Sequence, residues 1–467
     1  MSFTRAGSLV WPAGAFLIAL PVAVPIGMVL ITLLSPPSDI WLHLRETVLT
    51  DYLLNTLKLL LLVAVISAVT GVATAWLTAT RRFPGRGVLR WLLVLPLAAP
   101  AYVVAYAYAD LLEFAGPVQS ALRELTGWSA REYTFPAIRS LPGAALVLGF
   151  TLYPYVYLLT YTAFAQQSAV LNEAARSLGA SAGRAFFRVA LPVARPAIAG
   201  GLALALMETA ADYGVVDFFG VPTFTSGIFR TWFALGEHAA AVQLAAWLFA
   251  IVAVLVLFEQ LARRGRVANS LARPAPAVPV QMRGVRAGLA TVVCCVPVLL
   301  GFVVPMTALG IQALSVGDPM FGRSFSSYVG NSVLVGLTAA GLATGAAIWL
   351  CYTARLRPSL PVRISLRVAT LGYALPGMVL AVGLIVPLTS LDKWLAGVFN
   401  ERFDMRVGLL LTGSIAALVF VYIARFLTVA FNSCEAGMAR IHPQLDAAAR
   451  ALGAKPRRLL TAVHLPL

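Results

Sequence analysis

Three carboxylates interrupt an otherwise apolar stretch of this chain. In GLALALMETAADYGVVDFFGVPTFTSGIFRTWF (residues 201–233), Glu208 falls near the middle of a membrane-length segment. Asp212 follows one helical turn later on the same face, and Asp217 lies beyond it. Ionisable groups at that depth are costly in hydrocarbon, so they mark a translocation path, a gate or a proton relay, or else hydrogen-bond within the bundle. Lys58 and Arg425, the basic residues that fall within apolar segments, sit near segment ends, so simple ion pairing does not account for all three acids.

No other constellation assembles a reactive centre. Cys294, Cys295, Cys351 and Cys434 lack ligand-like spacing and read as small buried hydrophobes. The four histidines are scattered, so neither a metal site nor a catalytic residue is expected. No span carries HExxH or GxSxG. A nucleotide-binding P-loop needs Gly-Lys followed by Ser or Thr, and none of the three lysines (Lys58, Lys393, Lys455) follows a glycine. ATP chemistry, if the protein depends on it, must come from a separate polypeptide.

The elements that would hold the acids are membrane helices. Of 467 residues, 60% are hydrophobic and 12% charged, the composition of a polytopic membrane protein. Ten apolar segments run roughly over 10–34, 55–80, 91–115, 143–166, 197–221, 239–261, 287–312, 331–354, 368–390 and 408–431. The first is too long for a signal-peptide core and reads as a retained span. With the N-terminus in the cytoplasm, loops on that side carry 24 Lys and Arg and the opposite loops nine, with Lys58 and Arg425 inside spans. The net charge of +16 is therefore a topology signal under the positive-inside rule and not a nucleic-acid site.

The chain also repeats itself. NTLKLLLLVAVISAVTGVATAWLTATRR (55–82) resembles NSVLVGLTAAGLATGAAIWLCYTAR (331–355), and Leu95-Pro96 and Leu375-Pro376 mark the next span of each half. At a constant offset of 274, ten residues between Ala174 and Pro192 meet identical residues between Ala448 and Pro466. Among them, Gly179 meets Gly453, and Leu191-Pro192 meets Leu465-Pro466. Both halves keep one orientation, so they are parallel repeats. The expected organisation is a first repeat over 1–262, a Pro- and Arg-rich cytoplasmic linker over 263–286, and a second repeat over 287–467. Six spans followed by four imply a second repeat truncated after its polar loop. The fold class is all-α, two parallel repeats of about six transmembrane helices.

The polar loops, 172–192 and 446–466, each read as a short amphipathic helix, a helix-ending glycine and a second basic helix closed by Leu-Pro. In the first, Ala174, Ala175 and Leu178 share a face, with Glu173 and Arg176 more exposed. Glu173-Ala174-Ala175, Gly179 six residues after the Glu, and Leu191-Pro192 twelve after the Gly resemble the EAA loop of binding-protein-dependent ABC importer permeases. The second loop keeps Ala448, Ala449, Gly453, Leu465 and Pro466 but has Ala447 in place of the Glu, with Asp446 one position earlier. The segment around Glu208 and the fused twin layout resemble the ferric-iron uptake permeases of that family.

The resemblance implies a bacterial inner-membrane permease with no cofactor of its own. Its partners would be two copies of an ABC ATPase, which use ATP and Mg and dock on the loops, and a periplasmic binding protein at outer loops such as 35–54 and 116–142. Acidic side chains are compatible with a hard trivalent cation, and equally with thiamine or a polyamine carried by the same architecture. A proton-coupled secondary transporter using Glu208 and Asp212 is the rival class, and it leaves the paired loops without a purpose.

Overall fold

The computed structural model describes residues 10–33, 39–129, 131–166, 181–263, 279–316, 323–404, 408–438 and 441–466. Among them nine helices are long and apolar enough to cross a membrane. A tenth crossing is formed if the pair Arg86–Ala98 and Ala101–Thr126, bent by 92°, counts as one broken span. The protein is an all-α polytopic membrane protein, as its composition requires.

Two compact units form, one from residues 37–240 and 247–318 and the other from 1–36, 241–246 and 319–467. The leading span α1 (Val10–Leu33) thus packs with helices of the C-terminal half. The span that follows the linker packs with helices of the N-terminal half. The two halves exchange their first helices.

In the first unit, α2 (Asp39–Thr47) leads into the long helix α3 (Leu49–Thr80). Thr74 and Thr78 of α3 return their hydroxyls to the carbonyls of Thr70 and Thr74, both at 2.7 Å, which leaves no stray donor in an apolar surround. The chain then turns through α4 (Arg86–Leu92), the 3-10 turn Leu95–Ala98 and α5 (Ala101–Leu112) to α6 (Pro117–Thr126). The central spans are α7 (Leu141–Ala165) and α8 (Leu191–Ala211). With lipid as apolar as leucine, close approach through small residues decides which helices pair. A Cβ at Gly71 would lie 2.7 Å from Cβ of Val156, one at Gly149 2.6 Å from Cγ2 of Ile66, and one at Gly201 2.6 Å from Cα of Val156. These glycines bring α3, α7 and α8 together. After α8 come the short helices α9 (Gly214–Phe218) and α10 (Phe224–Phe229), then α11 (His238–Arg263), α12 (Gly284–Val298) and α13 (Val304–Val316).

The second unit gathers α1, α14 (Arg323–Leu356), α15 (Leu360–Ala369), α16 (Gly377–Phe403) and α17 (Ile415–Met438). Trp11 and Trp349 pack at 4.3 Å between ring centroids, tilted by 32° and over Gly14, and Trp349 Nε1 donates to the Trp11 carbonyl at 3.3 Å.

Local conformation repeats along with sequence. A π turn at Phe186–Ala190 precedes Leu191-Pro192, and a second at Leu460–His464 precedes Leu465-Pro466, again 274 residues apart. Proline lacks the N–H that would bond four residues back, and its ring crowds that carbonyl, so the turn before it widens. The extended break before a helix also recurs. In the first unit the new helix starts after Pro100, with Ala99 extended at ψ 121°. In the second it starts after Pro376, with Leu375 at ψ 124°. The structural counterpart of Pro376 is therefore Pro100 and not Pro96, which lies inside the 3-10 turn. Residues before a proline are pushed out of the helical region, and that is where each span breaks.

Candidate functional site

Two places concentrate the polar chemistry, one in each unit. The first is the cavity beside α8. Glu208 and Asp212 line a space of about 220 Å³ together with Thr151, Tyr155, Pro96 and Pro100. Its lining residues include no Lys, Arg or His. The broken span creates this space, because a continuous helix would carry backbone through it. Asp212 is not part of the helix that holds Glu208: α8 ends at Ala211, and Asp212 is extended at φ −68°, ψ 128°. Its Oδ1 accepts the N–H groups of Val215 (2.9 Å) and Val216 (3.4 Å), so the carboxylate caps α9. A short acidic side chain that bonds nearby backbone N–H groups competes with helix continuation, which is why the turn falls here. Thr225 donates to the Asp212 carbonyl at 2.7 Å and ties the bend to α10. Glu208 and Asp212 are brought to one cavity, while Asp217 stands apart on α9, bonded to Tyr213 and outside the lining.

The second place is the polar loop after α17. It folds as α18 (Pro443–Ala451), a turn at Gly453, α19 (Pro456–Leu459) and the π turn. Gly453 sits at φ +80°, the left-handed cap that a β-carbon disfavours. Asp446, only 7% exposed, is turned into the protein. Its Oδ2 accepts Arg355 Nε at 2.6 Å and its Oδ1 accepts His464 Nε2 at 2.8 Å. The two remaining arms of Arg355 donate to the Met438 and Ile441 carbonyls at 2.8 and 2.9 Å. Tyr352, one turn before Arg355 on α14, donates to the Pro456 carbonyl at 2.5 Å. One guanidinium at the end of α14 therefore holds the exit of α17, the entry to the loop and α18 together. Burial pushes the Asp446 carboxyl up. The hydrogen bonds and charges of Arg355 and His464 outweigh that and hold it below the usual carboxylate range.

The opposite face of α18 is open. Leu445, Ala448, Gly453 and Leu465 are exposed, as is Pro466, and Ala449 is half-buried. Leu452 is 89% exposed. The alanine and leucine positions that sequence periodicity groups as one face are, in this loop, presented outward, and the acid is the inward group. Of the first loop, Glu173, Ala174, Ala175 and Gly179 lie outside the described residues, and Leu191 and Pro192 open α8.

Arg355 and Tyr352 lie outside the loop, and the motif does not mark His464 within it. Arg355 lies 91 residues from Asp446, and the one available signal is an arginine ending the same helix in each half.

Residues 67–264 match the family described as the binding-protein-dependent transport system inner membrane component. The chain is 30% identical over 220 residues to the molybdenum transport system permease protein ModB of Escherichia coli, covering 46% of this chain and 93% of that protein. It is 23% identical over 430 residues to the Fe(3+)-transport system permease protein FbpB 2 of Haemophilus influenzae, covering 90% of this chain and 76% of that one. The sulfate transport system permease protein CysT of Escherichia coli is 28% identical over 182 residues, 38% of this chain and 63% of its own length.

Proposed function

The chain belongs to the family of binding-protein-dependent transport inner membrane components, and from that premise we propose that it passes a ferric cation through the bacterial inner membrane. It is a permease subunit of such an ABC transporter. The observation that carries the cargo is the cavity in which Glu208 and Asp212 meet with no basic residue in its lining. Carboxylate oxygens suit a hard cation. The same walls repel sulfate and molybdate, the oxyanions named for the shorter relatives. A relative named for Fe(3+) transport covers 90% of this chain.

The chain catalyses no reaction and binds no cofactor of its own. ATP and Mg are used by two copies of a separate ATPase that dock on the loops at 172–192 and 446–466. A periplasmic binding protein delivers the substrate to the outer loops, and the N-terminus is cytoplasmic. ATP acts by favouring one arrangement of the permease over another. The exposed face of α18 meets the ATPase, and the Arg355 clamp makes loop and α14 move as one body. Glu208 and Asp212 supply oxygen ligands along the path.

The test reconstitutes the chain with its ATPase and binding protein and measures ATP hydrolysis and uptake with ferric, sulfate, molybdate, thiamine or polyamine substrate. Stimulation and uptake by the ferric form are expected. Stimulation confined to an oxyanion overturns the cargo. Uptake driven by a proton gradient without ATP overturns the importer reading.

A further inference from the structure

A second polar space lies where the first unit leaves the membrane. Arg81–Arg82 pairs in parallel with Val280–Gln281, and Met282 N donates back to the Arg82 carbonyl at 2.9 Å. Thr291 reaches the Pro84 carbonyl at 3.0 Å. These bonds clamp the end of α3 to the start of α12 and leave a groove of about 680 Å³ lined by Arg82, Phe83, Pro84, Met282, Arg283 and Gly288, among others. Arg82 and Arg283 are both exposed, and neither is ion-paired among the described residues. The groove also holds the N-terminus of α12, a 15-residue helix whose first N–H groups carry the positive end of its dipole. A Cβ at Gly288 would meet nothing within 4 Å, so this backbone is open to whatever fills the groove.

The surroundings decide the kind of ligand. Val88 and Trp91 on α4, beside α12, and Val285 and Leu289 on α12 itself are all exposed, Val285 by 81%. Arginines scattered along a loop only set topology. Here two of them and a helix N-terminus converge on one groove at the very ends of two spans, with an apolar wall running away from it along the helices. A phosphate fits the basic end, and acyl chains fit the wall.

We propose that this groove is a binding site for an anionic phospholipid, its phosphate held by Arg82, Arg283 and the first turn of α12, and its chains laid on Val88, Val285 and Leu289. Basic pockets between membrane helices bind such headgroups. The site is independent of the cargo and of the coupling loops, and it ties the linker's far end to the bilayer surface.

Native mass spectrometry of the full chain released from detergent tests this, with cardiolipin, phosphatidylglycerol or phosphatidylcholine added at equal concentration. Preferential retention of the anionic lipids is expected, unaffected by millimolar inorganic phosphate. The Arg82→Gln/Arg283→Gln variant should lose roughly 30-fold of that preference, about five-fold per arginine. Gly288→Leu, which fills the groove and leaves the charges, should lose it as well. Equal retention of phosphatidylcholine overturns the site, as does anionic-lipid retention that neither variant changes. Displacement by millimolar inorganic phosphate or glycerol phosphate makes it a free-phosphate site and overturns the lipid assignment. Lipid-free melting of both variants, expected to match the wild type, separates loss of binding from loss of fold.

Discussion

Removing the Asp446 carboxylate should release the second polar loop without unfolding the membrane helices. Asp446→Ala deletes the acceptor for Arg355 at 2.6 Å and for His464 at 2.8 Å. Each is a charge-assisted bond worth about 1.5–3 kcal/mol. Stranding a buried charge costs about 3–5 kcal/mol in full. Arg355 keeps its bonds to the Met438 and Ile441 carbonyls, so the lower end applies. About 3 kcal/mol corresponds to roughly a 100-fold larger population of the undocked loop. Hydrogen exchange reads that population directly. The amides of Leu452 and Leu459, bonded to the Ala448 and Lys455 carbonyls, should exchange about 100-fold faster in the variant, and those of α3 and α7 should not change. Arg355→Lys keeps the charge but cannot span three acceptors, so it should fall between wild type and Asp446→Ala.

The same bonds carry a pH dependence. The Asp446 carboxyl is held below its ordinary value near about 3.9. The undocked loop then binds the proton more readily than the docked one. Docking is at full strength above that ordinary value and weakens as pH falls through it toward the lower docked-state value. Comparing wild type with Asp446→Asn at each pH cancels the intrinsic exchange rate, and the difference should shrink on acidification. A change of less than two-fold in loop exchange on Asp446→Ala, or a difference that grows at low pH, would refute the clamp.

Three further outcomes follow from the geometry. Leu452→Asp should weaken ATPase recruitment to the permease in pull-down or hydrolysis assays while leaving loop exchange unchanged, because that side chain is 89% exposed. Gly149→Ala should cost about 1–3 kcal/mol of stability, since its Cβ would lie 2.6 Å from Ile66, and thermal unfolding in detergent reads this. Glu208→Gln should lower uptake of a cationic substrate, and Asp212→Ala should lower it and also cost about 1 kcal/mol of stability from the lost α9 cap.

The amino-acid sequence alone determined the membrane class, the spans and the internal repeat. Span length is set by bilayer thickness, and the repeat by identities at one offset; both are one-dimensional quantities. It also located the second polar loop, because an amphipathic helix such as α18 stands out between apolar runs. The helices α1, α3 and α7 carry apolar residues on every face, so nothing in their periodicity says which side packs. That was decided in three dimensions by glycines meeting opposite side chains and by the exchange of leading helices between the halves. Pro96 and Pro100 are equally proline in the sequence; only the backbone shows that the new helix begins after Pro100. Asp446 reads as an acid displaced by one position, and it is the inward anchor of the loop, held by Arg355 and His464, 91 and 18 residues away. Asp212 reads as one helical turn past Glu208, and instead ends that helix and meets Glu208 across a cavity. A bilayer constrains the chain along one axis, and the contacts that set rotation about and between helices are made by residues far apart in sequence.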